Sequence, residues 1–110
     1  MDTLFVYGTL GPGRPNAYIM ENIGGTWLKG SVEGTLEQKG WGAEMGYPGI
    51  VLDNSGNRVN GFLFSSENLA SNWNILDDFE GEEYERVPVE VITEQGDQVL
   101  SSIYRLKSST

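Results

Sequence analysis

The sequence predicts an α+β fold, a small and mostly antiparallel β-barrel flanked by one substantial and one short helix. Three observations lead to this prediction. Most segments are rich in β-branched and aromatic residues, which is typical of strands. Fifteen glycines in 110 residues, about twice the usual share, indicate many turns. The predicted connections between strands are short, which favours antiparallel pairing. We expect residues 1–110 to form a single domain.

The first strand is predicted at residues 3–7, where a nearly continuous apolar run indicates burial on both faces. It leads into a loop at residues 8–16 that contains three glycines and two prolines. Glycine allows a ligand to approach backbone N–H groups closely, and several such groups together can hold a carboxylate. An ordinary glycine-rich turn explains the loop equally well, and both interpretations remain open. A phosphate-binding loop is excluded because Arg14-Pro15 stands where Lys and Ser/Thr are required.

The middle of the chain is predicted to contain a short helix followed by four strands. The helix is expected to begin at Asn16, a capping residue, and to end before Gly24-Gly25. A turn is predicted at residues 47–49, and a hairpin connection at residues 54–57 is expected to join the last two strands. The four strands are predicted at residues 26–38, with bends at its glycines, and at 41–45, 49–53 and 59–64.

The longest helix is predicted to begin at Ser65 and Ser66, because serine can cap a helix start. Its apolar residues recur at spacings of four and three and so form one face: Leu69, Trp73 and Leu76. At about 3.6 residues per turn, Glu80 points in the same direction as this face. Gly81 is predicted to end the helix.

An inward carboxylate at Glu80 would have a distinctive chemistry. Loss of water disfavours its charged form, so we expect the pKa of Glu80 to rise. A carboxyl with a pKa near neutrality can both accept and donate a proton. The alternative is that the last helical turn frays, so that Glu80 lies in solvent or pairs with Arg86. The spacing alone leaves both interpretations open.

Two further strands complete the predicted fold. In residues 84–93, Val87, Val89 and Val91 alternate and so share one face. Pro88 restricts this strand to a position where one ladder hydrogen bond is missing. A turn at residues 94–97 leads to a last strand at residues 99–106.

The composition excludes several classes of function. The chain contains no Cys and no His, which removes disulfides, thiolate nucleophiles, Cys/His zinc sites and Ser-His-Asp triads. The formal net charge of −9 argues against nucleic acid or an anionic membrane surface as a partner. No apolar run is long enough to span a membrane, and the N-terminus has no signal-peptide pattern. We therefore expect a soluble cytoplasmic protein.

Three motifs, taken together, resemble one family. They are FVYGTL at residues 5–10, YPGIV at residues 47–51, and LDDFEG at residues 76–81 followed by YER at residues 84–86. In this order they are similar to the gamma-glutamylcyclotransferase-like proteins, a group that includes the avirulence-induced-gene-like branch and the gamma-glutamylamine cyclotransferases. The resemblance covers nearly the whole chain.

The resemblance implies a small barrel with a cavity at its mouth and assigns roles to individual residues. Glu80 stands at the position of the general acid/base. Two tyrosines, Tyr84 and Tyr104, stand where side chains line the cavity. Backbone groups of the first motif are implied to bind the glutamyl moiety, and they belong to Tyr7, Gly8, Thr9 and Leu10.

The resemblance also implies a reaction, the cyclisation of a γ-glutamyl amide to 5-oxoproline with release of a free amine. Such an enzyme is a lyase or acyltransferase that acts on a small molecule and needs no metal or cofactor. The alternative is a member of the same family that binds or regulates without turnover, because a fold does not fix an activity. The sequence identifies neither the leaving amine nor the oligomeric state.

Overall fold

The computed structural model describes residues 2–8, 10–37 and 49–107. The elements in these residues are, in chain order, β1 (Asp2–Val6), α1 (Ala17–Ile23), β2 (Thr26–Glu33), β3 (Thr35–Glu37), β4 (Gly49–Val51), β5 (Arg58–Ser66), a 3₁₀ turn (Leu69–Ser71), α2 (Trp73–Glu80), β6 (Tyr84–Thr93) and β7 (Gln98–Leu106). The strand predicted at residues 41–45, and Tyr47-Pro48 of the predicted turn, lie outside the described residues. None of the helices in the described ranges has the length and apolar character that crossing a membrane requires.

The strands of the described chain form a closed barrel in the order β1-β5-β2-β6-β7. Four of its pairings are antiparallel, and a parallel pairing of β7 with β1 closes the barrel. Phe5 of β1 shows the closure, since it is in register with Leu63 of β5 and with Ile103 of β7. The predicted α+β fold, a small and mostly antiparallel barrel with flanking helices, is confirmed.

Apolar side chains separate into two clusters, one on each face of the barrel wall. One cluster contains strand residues only, among them Phe5 and Ile103, and lies inside the barrel. The other joins the helices to the outer face of the strands, for example Leu76 of α2 to Leu4. Because successive residues of a strand point to opposite faces, β1 contributes to both clusters. The predicted burial of this strand on both faces is therefore confirmed.

The predicted hairpin between the strands at residues 49–53 and 59–64 is wrong. Strand β4 pairs with β3, with Leu36 opposite Ile50, in a separate two-stranded sheet. Both edges of β5 are occupied by β1 and β2, which leaves no ladder for β4. The long strand predicted at residues 26–38 is divided at Gly34, whose N–H donates to the carbonyl of Asn57 at 3.0 Å. This break allows β3 to leave the barrel and meet β4.

The predicted helix start at Ser65 and Ser66 is also wrong, since both residues belong to β5. The hydroxyl of Ser66 donates to the carbonyl of Gly24 and accepts the N–H of Asn68. Ser66 thus joins the end of α1 to the turn before α2 rather than capping a helix. The side chain of Asn16 makes no capping hydrogen bond either, although α1 does begin next to it and end before Gly24 as predicted.

Candidate active site

Helix α2 carries Glu80 to the barrel by its last turn. Leu76 is fully buried, and Trp73 and Phe79 pack against the same cluster, so α2 lies on the barrel by the apolar face predicted from the sequence. Glu80 is the last residue of the helix. Gly81 then adopts a φ of 84°, and its N–H donates to the carbonyl of Asp77 at 3.1 Å. The predicted helix end at Gly81 is confirmed.

The carboxyl of Glu80 is only partly exposed, and this burial has an electrostatic consequence. Burial disfavours the charged form and raises the pKa of Glu80 from 4.5 to about 7. The predicted upward shift is therefore confirmed. At neutral pH both protonation states of Glu80 are populated, which is the property that a group alternating between base and acid requires.

Three tyrosines lie within electrostatic range of Glu80. Burial, followed by the charge of Glu80, raises the pKa of Tyr84 to about 12. Burial raises the pKa of Tyr7 and of Tyr104 further, and the charge of Glu80 contributes in both cases. All three side chains therefore remain neutral phenols at neutral pH. The structure brings together the carboxyl and the three tyrosines that the sequence singled out.

Strand pairing explains why two of these tyrosines reach the same place. Tyr84 and Arg86 are two residues apart on β6, so their side chains share one face. Their partners in register on β7 are Leu106 and Tyr104. Tyr84 and Tyr104 belong to the cluster that packs under the helices, together with Leu76 of α2. The outer face of this strand pair therefore lies against the helix that carries Glu80.

The hydroxyl hydrogens of two of the tyrosines are already used. Tyr7 donates to the carbonyl of Tyr104 at 2.8 Å and accepts the N–H of Ile50 at 3.1 Å. Tyr104 donates to a carboxylate oxygen of Asp77 at 2.6 Å. A phenol has one hydrogen to donate. The hydroxyl of Tyr84 makes no hydrogen bond within the described part of the chain, so Tyr84 has a hydrogen to offer to a ligand.

The loop after β1 is built from successive turns. The N–H of Gly11 donates to the carbonyl of Gly8 at 3.1 Å, and that of Arg14 to Gly11 at 3.0 Å. The N–H groups of Gly8 and Leu10 have no backbone partner among the described residues. Open space adjoins Gly8, where an added Cβ would meet no atom within 4 Å. Thr9 lies outside the described residues, and carboxylate binding by this loop stays a prediction.

Sequence reasoning missed a charged cluster beside the site. Asp77 pairs with Arg86, with 3.0 Å between Nε and Oδ1, and the guanidinium lies 4.3 Å from the centroid of the Trp73 ring. Hydrogen bonding from Arg86 and from Tyr104 holds the pKa of Asp77 below its usual range. A pair between Arg86 and Glu80 is one of the two alternatives that the sequence leaves open, and the structure pairs Arg86 with Asp77. The available signal was the spacing in the sequence. Asp77 is three residues before Glu80 on the same predicted helix, and Arg86 lies on the strand that follows this helix.

The acidic residues do not form an evident cation site. Within residues 2–8, 10–37 and 49–107, no group of three or more acidic side chains is placed to hold a metal ion.

The barrel, the titratable carboxyl and the surrounding phenols define a small β-barrel fold with a candidate acid/base site. Residues 4–110 match the family described as "Gamma-glutamyl cyclotransferase, AIG2-like". Because the match spans nearly the whole chain, the chain belongs to this family. Membership supports a cyclotransferase-like enzyme. A search of curated proteins finds no match.

Solved structures support the same assignment. A crystal structure of an AIG2-like protein from Mus musculus is 27% identical, with a TM-score of 0.74 over 100% of this chain and 80% of that chain. A solution structure of an Arabidopsis thaliana protein is 26% identical, with a TM-score of 0.72 over 96% of this chain and 61% of that chain. A structure called gamma-glutamyl cyclotransferase is 19% identical, with a TM-score of 0.69 over 97% of this chain and 67% of that one, and is similar in fold alone.

Proposed function

We propose that this chain catalyses the intramolecular cyclisation of a γ-glutamyl amide and releases 5-oxoproline and a free amine. The observation that carries the proposal is the carboxyl of Glu80, whose pKa burial raises to about 7 beside three phenols. Cyclisation needs one group that takes a proton from one nitrogen and gives a proton to another. Glu80 has the protonation equilibrium for both steps at neutral pH.

The reaction balances without water or an added reagent. The neutral α-amine of the substrate attacks its own γ-amide carbonyl, and ionised Glu80 removes a proton from the attacking nitrogen. The resulting tetrahedral intermediate carries an oxyanion. Protonated Glu80 then gives the proton to the leaving nitrogen as the C–N bond of the amide breaks. The carbonyl reforms in the five-membered lactam, and the amine departs neutral.

Tyr84 is the residue we assign to the oxyanion. Its pKa of about 12 keeps its hydrogen in place at neutral pH, and its hydroxyl donates to no other group of the described chain. A donor already in position stabilises developing charge without reorganisation. Tyr7 and Tyr104 are less suited because each already donates its hydrogen elsewhere.

The loop after β1 would hold the α-carboxylate of the substrate. The N–H groups of Gly8 and Leu10 provide donors, and the space beside Gly8 admits a ligand. Fixing this carboxylate restricts the flexible glutamyl chain to conformers that close the ring. For an intramolecular reaction, such orientation supplies a large part of the rate acceleration.

Release of 5-oxoproline from a panel of γ-glutamyl amino acids and γ-glutamyl amines, measured by mass spectrometry, tests this function. The α-glutamyl isomers serve as matched controls because they have no γ-amide to attack. We expect turnover of one or more γ-linked substrates and none of the controls, with the best substrate identifying the leaving amine. No turnover of any γ-linked substrate would contradict the proposal and would favour a member that binds without catalysis.

A further inference from the structure

Asp77 connects three elements of the fold through one carboxylate. Its Oδ1 accepts the hydroxyl of Tyr104 on β7 at 2.6 Å and Nε of Arg86 on β6 at 3.0 Å. Its Oδ2 accepts a second guanidinium nitrogen of Arg86 at 3.3 Å. The guanidinium in turn lies over Trp73, in the first turn of the same helix, at 4.3 Å from the ring centroid. The first residue of α2 and the residue that opens its last turn are thereby tied to the barrel.

The last turn of α2 depends on such ties. The helix has eight residues, and helices this short are marginal in water without tertiary contacts. The backbone carbonyl of Asp77 accepts the N–H of Gly81, which closes the turn that contains Glu80. The backbone of Asp77 therefore completes this turn while its side chain holds the turn against β6 and β7.

We propose that Asp77 is a positioning residue for Glu80: its carboxylate fastens the last turn of α2 to Arg86 and Tyr104 and so keeps the carboxyl of Glu80 in its partly dehydrated position. The proposal rests on the proposed function only for its kinetic consequences. Exposed ion pairs contribute little to stability, and the side chains of Asp77 and Arg86 are 45% and 32% exposed. We therefore expect the pair to matter for geometry more than for the folding of the chain.

Asp77→Asn tests this idea because it keeps an oxygen for Tyr104 and removes the ion pair. A looser last turn admits water to Glu80, and water favours the charged carboxylate, so the pKa of Glu80 falls. Loss of the negative charge of Asp77 also lowers the pKa of Glu80. The positive charge of Arg86, which no carboxylate then neutralises, lowers it as well. Among residues 2–8, 10–37 and 49–107, the phenols on which the charge of Glu80 acts are those of Tyr7 after β1, Tyr84 on β6 and Tyr104 on β7. They stay neutral over this pH range.

The decisive readout is a titration of the side-chain carboxyl carbon of Glu80 by ¹³C NMR, in the free protein. We expect a midpoint near 7 in the wild type and a midpoint at least about one pH unit lower in Asp77→Asn. The matched control is Asp78→Asn, which removes an exposed carboxyl from the same helix and should leave the Glu80 midpoint unchanged. An unchanged midpoint in folded Asp77→Asn, or an equal fall in both variants, would overturn the proposal.

A second variant decides the question if Asp77→Asn does not fold. Tyr104→Phe removes the hydroxyl that Asp77 accepts but keeps the ion pair with Arg86 and the buried ring. We expect the midpoint of Glu80 to fall in this variant as well, by less than in Asp77→Asn. A wild-type midpoint in Tyr104→Phe, in the absence of a folded Asp77→Asn protein, would overturn the proposal.

Kinetics separate this inference from the proposed function. With an active substrate, we expect Asp77→Asn to lower kcat by about 10-fold to 100-fold with little change in KM, because the acid/base is displaced and the binding loop is untouched. If the Glu80 titration shifts in Asp77→Asn but the wild type shows no turnover, the result would support the positioning role and contradict the proposed function. If Asp77→Asn has a normal kcat and a normal titration while Glu80→Gln is inactive, the result would contradict the positioning role and support the proposed function.

Discussion

The hydroxyl of Tyr7 donates to the backbone carbonyl of Tyr104 at 2.8 Å, although the two residues are 97 positions apart. The same hydroxyl accepts the N–H of Ile50, so one phenol joins the ends of β1 and β7 to the separate β3-β4 sheet. The side chain of Tyr7 therefore has a structural role beside the candidate site. The resemblance to the family alone assigned it to substrate binding through its backbone.

Tyr7→Phe should reduce stability because it leaves a buried carbonyl and a buried N–H without their partner. The expected loss is about 1–3 kcal/mol in the free energy of unfolding. Urea denaturation of the variant and the wild type measures it. The matched control is Tyr18→Phe on α1, where the side chain is 57% exposed and no loss is expected. Equal stability of Tyr7→Phe and the wild type would contradict the structural role.

Tyr84→Phe should lower kcat by about 100-fold, since removal of one oxyanion donor typically costs 100-fold or more. The ring stays in place in its buried position, so we expect little change in KM and in stability. Steady-state kinetics on the best γ-glutamyl substrate provides the test, with Tyr18→Phe again as the control. A variant with the kcat of the wild type would show that another donor, such as a loop N–H, meets the oxyanion.

Glu80 should make the protein less stable as the pH rises. Its pKa is raised on folding from 4.5 to about 7, so the native state retains the proton over a range where the unfolded chain loses it. Stability is therefore unaffected below about pH 4.5 and declines as the pH rises through about 7, by about 3 kcal/mol in total. Glu80→Gln removes this titration.

The difference in unfolding free energy between Glu80→Gln and the wild type isolates the effect, because the other titrating groups are common to both proteins. We expect this difference to move in favour of the variant by about 3 kcal/mol between about pH 4 and about pH 8. Urea denaturation at several pH values measures it. A difference that stays constant over this range would mean that Glu80 is not held in a dehydrated position.

Local patterns in the sequence predicted the fold class and the inward direction of the Glu80 side chain. The apolar run in β1 indicated burial on both faces, and the spacing from Trp73 to Glu80 indicated an inward carboxyl. Which strands pair was not available from local patterns. The residues at 54–57 favour a hairpin turn, but β1 and β2 pair with the two edges of β5, so no edge is left for β4. Pairing depends on the closure of the whole barrel, which no short segment encodes.

The positioning of the site was the less predictable part. Asp77 lies off the apolar face of α2, and the local pattern does not single it out. Its partners come from two other elements, and the meeting of Arg86 with Tyr104 follows from the register of β6 and β7. Ser66 was misread for a similar reason, since its hydroxyl contacts Gly24, which is distant in sequence. Contacts of this kind need the tertiary structure.

In the proposed reaction Glu80 moves the protons of the cyclisation, and the decisive measurement is the rate of 5-oxoproline release by Glu80→Gln compared with the wild type. Glutamine keeps the size of the side chain but neither accepts nor donates a proton as required. We expect turnover by the wild type and a loss of at least about 100-fold in the variant, with the fold unchanged by circular dichroism. Equal rates of 5-oxoproline release by the two proteins would show that Glu80 does not move these protons.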